Sequence, residues 1–93
     1  MDEAALDERL RALAHPVRRR LVTACLDSPQ PAGALVALCD LAPASVSEHL
    51  KVLRKSGLLV LEARGRRRLY VADRDVVAAT AAAVACLGRR AAI

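Results

Sequence analysis

Aromatic residues are nearly absent from this chain: Phe and Trp are missing, and Tyr70 is the only Tyr. Any core must therefore be built from Leu, Val and Ala. Hydrophobic residues make up 55% of the 93 positions, enough material for one small domain and not for two. A small aliphatic core is marginal alone, and burying further surface in a dimer would steady it. Cysteine is scarce as well. Cys25, Cys39 and Cys86 make an odd number with no paired spacing, which fits a reducing compartment. His15 and His49 are the only histidines, too few and too scattered for a His-based metal cluster. The chain has no Ser/His/Asp order, no glycine-rich phosphate loop and no paired His, so neither an enzyme nor a cofactor is expected. It also lacks a long apolar run. The opening residues are acidic, unlike a signal peptide. The Ala-rich stretch 78–85 is too short, and too closely bracketed by Asp75 and Arg89, to span a membrane. A cytoplasmic protein without a membrane partner is expected.

Positive charge is plentiful. The formal net charge is +5, which favours a polyanionic partner. Arg18, Arg19 and Arg20 form one basic cluster, and the arginines of residues 64–68 another. Asp2, Glu3, Asp7 and Glu8 make the N-terminus acidic, so the first helix is not the expected DNA face.

Residues 41–59 carry the most information. They look like the second half of a helix-turn-helix. Pro43 suits a first helical turn, where the N–H it lacks would be unbonded anyway. Val46, Leu50 and Leu53 fall at i, i+4 and i+7, one buried stripe. Ala44, Ser45, Ser47, Glu48 and Lys51 fall mostly off it. Short and hydrogen-bonding residues are what a helix in a major groove needs near its N-terminus. Gly57 is expected to stop the helix, with Arg54 and Lys55 complementing the dipole in its last turn. Residues 58–62 and 69–71 then read as short strands around a glycine turn carrying Arg64, Arg66, Arg67 and Arg68. A helix-turn-helix followed by a basic hairpin is a winged helix, whose wing tip would lie by a phosphate backbone or minor groove.

The expected fold is mainly α with one small β-hairpin, in the order α-α-α-α-β-β-α, as a single domain over residues 1–93. The first helix covers about 2–14, with Leu6, Leu10 and Leu13 as its apolar face. His15 and Pro16 break it. The second covers about 17–26, with Val17, Leu21 and Cys25 inward, and the third about 32–39, with Leu35 and Leu38 inward. The recognition helix covers about 43–56 and the wing about 58–72. Asp73 is expected to start a last helix over about 74–89, with Val76, Val77, Thr80, Val84 and Leu87 on one side. That helix is apolar on more than one side and wants burial on both. The first and last helices are therefore the expected dimer contacts, giving a two-fold homodimer on a palindromic DNA.

The segment ALAHPVRRRLV at residues 12–22, with SVSEHLKVLRKSGLL and GRRRLYVAD further on, resembles the ArsR/SmtB family of bacterial transcriptional repressors. The resemblance implies a homodimeric winged helix that represses its own operon and leaves DNA when an effector binds. It implies DNA contacts from residues 43–56 and a wing at 62–70. The family's metal sites carry over poorly. One uses a CxCDL stretch, where this chain has Ala37 in place of the first thiolate before Cys39, and one soft ligand is too few. Cys39 is expected as a core thiol instead. The other lies on the last helix, where Asp73, Asp75, Cys86 and Arg89 stand. Asp75 and Cys86 are unusual zinc ligands there, and Arg89 is a cation. No metal site is expected. Some relatives sense oxidants through one cysteine on the second helix and one on the last, which makes Cys25 and Cys86 a candidate thiol switch beside the reading of two core residues.

The leading expectation is a sequence-specific DNA-binding repressor. Arg64, Arg66, Arg67, Arg68 and Lys51 would bind phosphates, and Ser45, Ser47, Glu48 and His49 would meet base edges or, for His49, the backbone or the underside of the wing. The alternative is a winged helix that docks an acidic protein partner without reading DNA. The effector, or a switching partner protein, is not given by the residues.

Overall fold

The computed structural model describes residues 1–91, with side chains through Gly88. Five helices and one hairpin follow in order: α1 (Glu3–Leu13), α2 (Pro16–Asp27), α3 (Ala32–Leu38), α4 (Pro43–Lys55), β1 (Leu59–Arg64), β2 (Arg67–Ala72) and α5 (Arg74–Ala91). This is the expected mainly helical winged helix-turn-helix. Local chemistry sets the boundaries. Asp2 caps α1, its carboxylate accepting from the Ala5 N–H at 2.7 Å. Proline opens both α2 and α4, where no N–H is required. The Asp73 carboxylate accepts from the N–H groups of Asp75 and Val76, starting α5. Past Ser56, Gly57 turns the chain out of α4 at φ +84°.

The core is aliphatic. Leu21, Leu35, Val46, Leu53, Leu58 and Leu59 are fully enclosed, joined by Ala12, Cys25, Cys39 and Leu50. The antiparallel hairpin pairs Leu59 with Ala72 and ends at Arg64 opposite Arg67. Its two-residue turn is Gly65-Arg66, with Gly65 at φ +62° in the first central place, as a type II′ turn asks. Gln30 extends the sheet: its N–H and carbonyl exchange hydrogen bonds with Tyr70 at 2.9 and 2.8 Å. No described helix is long and apolar enough to cross a membrane.

Two expectations about the core, on α3 and α1, are corrected, and α5 packs over only part of its length. Leu38 is 47% exposed, and Cys39 is buried in its place. Position i+4 from Leu35 points inward here and position i+3 does not, and α3 is too short for periodicity to decide between them. On α1 the enclosed residue is Ala12, while Leu10 is exposed, because a small side chain lets that helix approach closely. On α5, Thr80 marks the end of the packed part: it is buried and its hydroxyl donates to the Val76 carbonyl, whereas Val84 and Leu87 are 46% and 66% exposed.

Candidate nucleic-acid interface

The helix pair α3 and α4 is joined by residues 39–42, and the α4 face opposite Val46, Leu50 and Leu53 is bare. Ala44, Ser45, Ser47, Glu48 and Lys51 are all exposed on it. The helix is held from behind. At its C-terminus the Arg9 Nε donates to the Ser56 carbonyl at 3.0 Å, tying α1 to the end of α4. The Ser56 hydroxyl donates to the Leu53 carbonyl at 2.8 Å. The Arg9 bond anchors the end of α4 to α1 and the Ser56 hydroxyl closes the last turn of the helix, neither using its outer face.

His49 stands on the edge of that face and is engaged from α2. The Arg18 Nε donates to His49 Nδ1 at 3.1 Å, so Nδ1 carries a lone pair and the ring is neutral. The His15 ring lies 6.0 Å away, centroid to centroid. Partial burial, then the Arg18 charge, then His15 push the His49 pKa below its ordinary value. Of the places considered for His49, the structure engages it from the first turn of α2, at the edge of the α4 face.

The wing carries Arg64, Arg66, Arg67 and Arg68, all exposed. Arg64 has a partner that sequence reading missed. Its guanidinium meets the Glu62 carboxylate at 3.0 Å, two residues back on the same side of β1. An i, i+2 spacing on a strand places both on one face, and that signal was available. The pair is about half exposed and adds little stability, but it orients Arg64. Arg66, Arg67 and Arg68 have no side-chain partner among the described residues.

A family model described as a helix-turn-helix domain matches residues 13–62. The regulator CmtR of Mycobacterium bovis is 43% identical over 70 residues, covering 75% of this chain and 59% of CmtR. The repressor SmtB of Mycobacterium tuberculosis is 38% identical over 85 residues, covering 90% of this chain and 63% of SmtB. The chain belongs to the ArsR/SmtB family of helix-turn-helix regulators. It spans about three-fifths of the length of these two relatives. The crystal structure of another ArsR-family regulator superposes with a TM-score of 0.83 at 25% identity, covering 96% of this chain and 98% of that one.

At the positions where the resemblance implies metal ligands, the described residues stand apart from one another. Cys39 is buried beside Ala37. Asp73 is occupied as a helix cap, and the Arg89 side chain lies outside the described residues. Among the described residues no three His, Cys, Asp or Glu side chains gather where one ion could sit. Cys25 and Cys86 are free thiols in different surroundings. Cys25 is in the core, whereas Cys86 is exposed in a groove of about 250 Å³ with Met1, Glu3, Leu6, Ala83 and Leu87.

Proposed function

We propose that this chain is a sequence-specific DNA-binding repressor that controls its own promoter and leaves the DNA when an effector binds. The observation that carries this reading is the α4 face. Five exposed residues, Ala44, Ser45, Ser47, Glu48 and Lys51, cover a helix whose other side is locked into the core, and on the adjoining hairpin Arg66, Arg67 and Arg68 have no side-chain partner among the described residues. Phosphate contacts from Lys51, Arg66, Arg67 and Arg68, with Arg64 oriented by Glu62, would position the helix. Ser45, Ser47 and Glu48 would read base edges, Glu48 accepting from a cytosine amine. The reading includes a homodimer through α1 and α5, which would set two α4 helices about 34 Å apart on a palindrome. Exposed Val84 and Leu87 supply the apolar surface for that contact. A cytoplasmic location follows from the role, and free thiols suit it.

Fluorescence anisotropy with the DNA upstream of its own gene, against a scrambled duplex, tests the reading. Specific binding is expected. Arg67→Ala should weaken both duplexes alike and flatten the salt slope by about one unit. Ser47→Ala and Glu48→Ala should change the sequence preference instead. Equal affinity for scrambled DNA overturns the reading and favours docking of an acidic protein partner.

A further inference from the structure

One polar cluster is used neither by the wing nor by the outer face of α4. Arg18, from the first turn of α2, bonds His49 on α4, with His15 alongside. We propose that Arg18 is a DNA-phosphate contact outside the wing, and that His49 is the residue that positions it. This deepens the DNA-binding reading and rests on it.

Geometry carries the argument. An α-helix is about 10–12 Å across with its side chains and nearly fills a major groove about 12 Å wide. Its flanks therefore run along phosphate backbones. Ser45 and His49 are one turn apart and share one flank of α4. Arg18 is delivered to that flank by α2. It is half-buried, and only its Nε is used, on His49. Its two Nη groups have no partner among the described residues. A guanidinium held at Nε keeps two parallel donors in a fixed plane, the arrangement that binds a phosphate bidentately. His15, exposed and 6.0 Å from His49 between ring centroids, gives the same flank a further donor.

Fixing Arg18 requires an acceptor at the Nδ1 position of residue 49. A long arginine otherwise loses rotamer freedom when it meets the phosphate. In this arrangement the acceptor nitrogen of His49 is spent on Arg18, and only its Nε2–H is left to donate.

The test measures duplex binding against salt for wild type, Arg18→Gln, His49→Asn, His49→Leu and Arg67→Ala, on upstream and scrambled DNA. Circular dichroism checks that each variant is folded. Arg18→Gln should reduce the salt slope by about 0.9, the value for one phosphate, equally on both duplexes. Asn keeps an acceptor close to the Nδ1 position, so His49→Asn should retain the wild-type slope while His49→Leu loses it. A merely structural role for residue 49 would not separate Asn from Leu in salt slope. If Arg67→Ala lowers the slope and Arg18→Gln does not, this inference fails alone. If the slope of His49→Leu equals that of His49→Asn, the positioning role fails. If wild type binds no duplex, both readings fail together.

Discussion

Cys25 is 3% exposed in the core, and burial pushes its thiol up from an ordinary 9.0 to about 11. A thiol that stays protonated at neutral pH is a poor nucleophile. Native protein treated with iodoacetamide should therefore show Cys25 alkylated only at the rate of unfolding, well behind Cys86, when peptides are followed by mass spectrometry. Rapid native labelling of Cys25 would favour a thiol switch at this position. The sign of the pH effect is fixed by the same shift. The folded chain keeps a proton that the unfolded chain gives up near pH 9, so this contribution is full below pH 9 and is lost as pH rises through about 11. At this scale the sequence was legible where the answer depends on near neighbours. The outward residues of α4 follow from a period of 3.6, and Asp73 announces its cap. Arg18 and His49 were not legible as a pair, because 31 residues separate them and only the packing of α2 on α4 brings them together.

Among the elements, α5 depends most on its start. Its first turn is tied by the Asp73 carboxylate to two N–H groups, and the Asp73 N–H donates to the Leu58 carbonyl at 3.0 Å. Asp73→Ala removes the side-chain bonds and keeps the backbone one. A loss of about 1 kcal/mol in urea unfolding is expected, within the range for N-cap removal. A change below a few tenths would mean that packing of Val76 and Val77 sets the helix start unaided. Strand and helix positions were largely readable, since glycine and proline punctuate them: Pro43, Gly57 and Gly65 stand at the turns they enforce. The strands nonetheless run to Arg64 and Arg67, further into the arginine segment than a hydrophobic pattern suggests. A two-residue turn closes the ladder up to its last pair, whatever the polarity of those residues. Faces were harder to read than boundaries. On α3 a single residue of phase, i+3 against i+4 from Leu35, separates Leu38 from Cys39, and only the neighbouring elements make that decision.

For the whole molecule, the apolar surface left by α1 and α5 has to be reconciled with a small core. Leu10, Val84 and Leu87 are exposed together with Met1, and α1 touches α5 along the groove that holds Cys86. The α5 sequence reads as apolar on more than one side, and its stripe from Val76 to Leu87 does not say where along the helix its own domain ends. The structure divides it: Val76, Val77 and Thr80 pack inward, and Val84 and Leu87 are left over. If those leftovers form the two-fold contact, wild type should sediment as a dimer, and its unfolding midpoint should rise with protein concentration. Val84→Glu places a charge on the surface that two copies would share, while the packed half of α5 keeps its contacts. The variant is expected to sediment as a folded monomer whose unfolding midpoint no longer depends on concentration. It should also bind a half-site duplex about as well as a full palindrome, because two linked α4 helices no longer engage together. A Val84→Glu protein that remains dimeric would place the subunit contact elsewhere on the molecule.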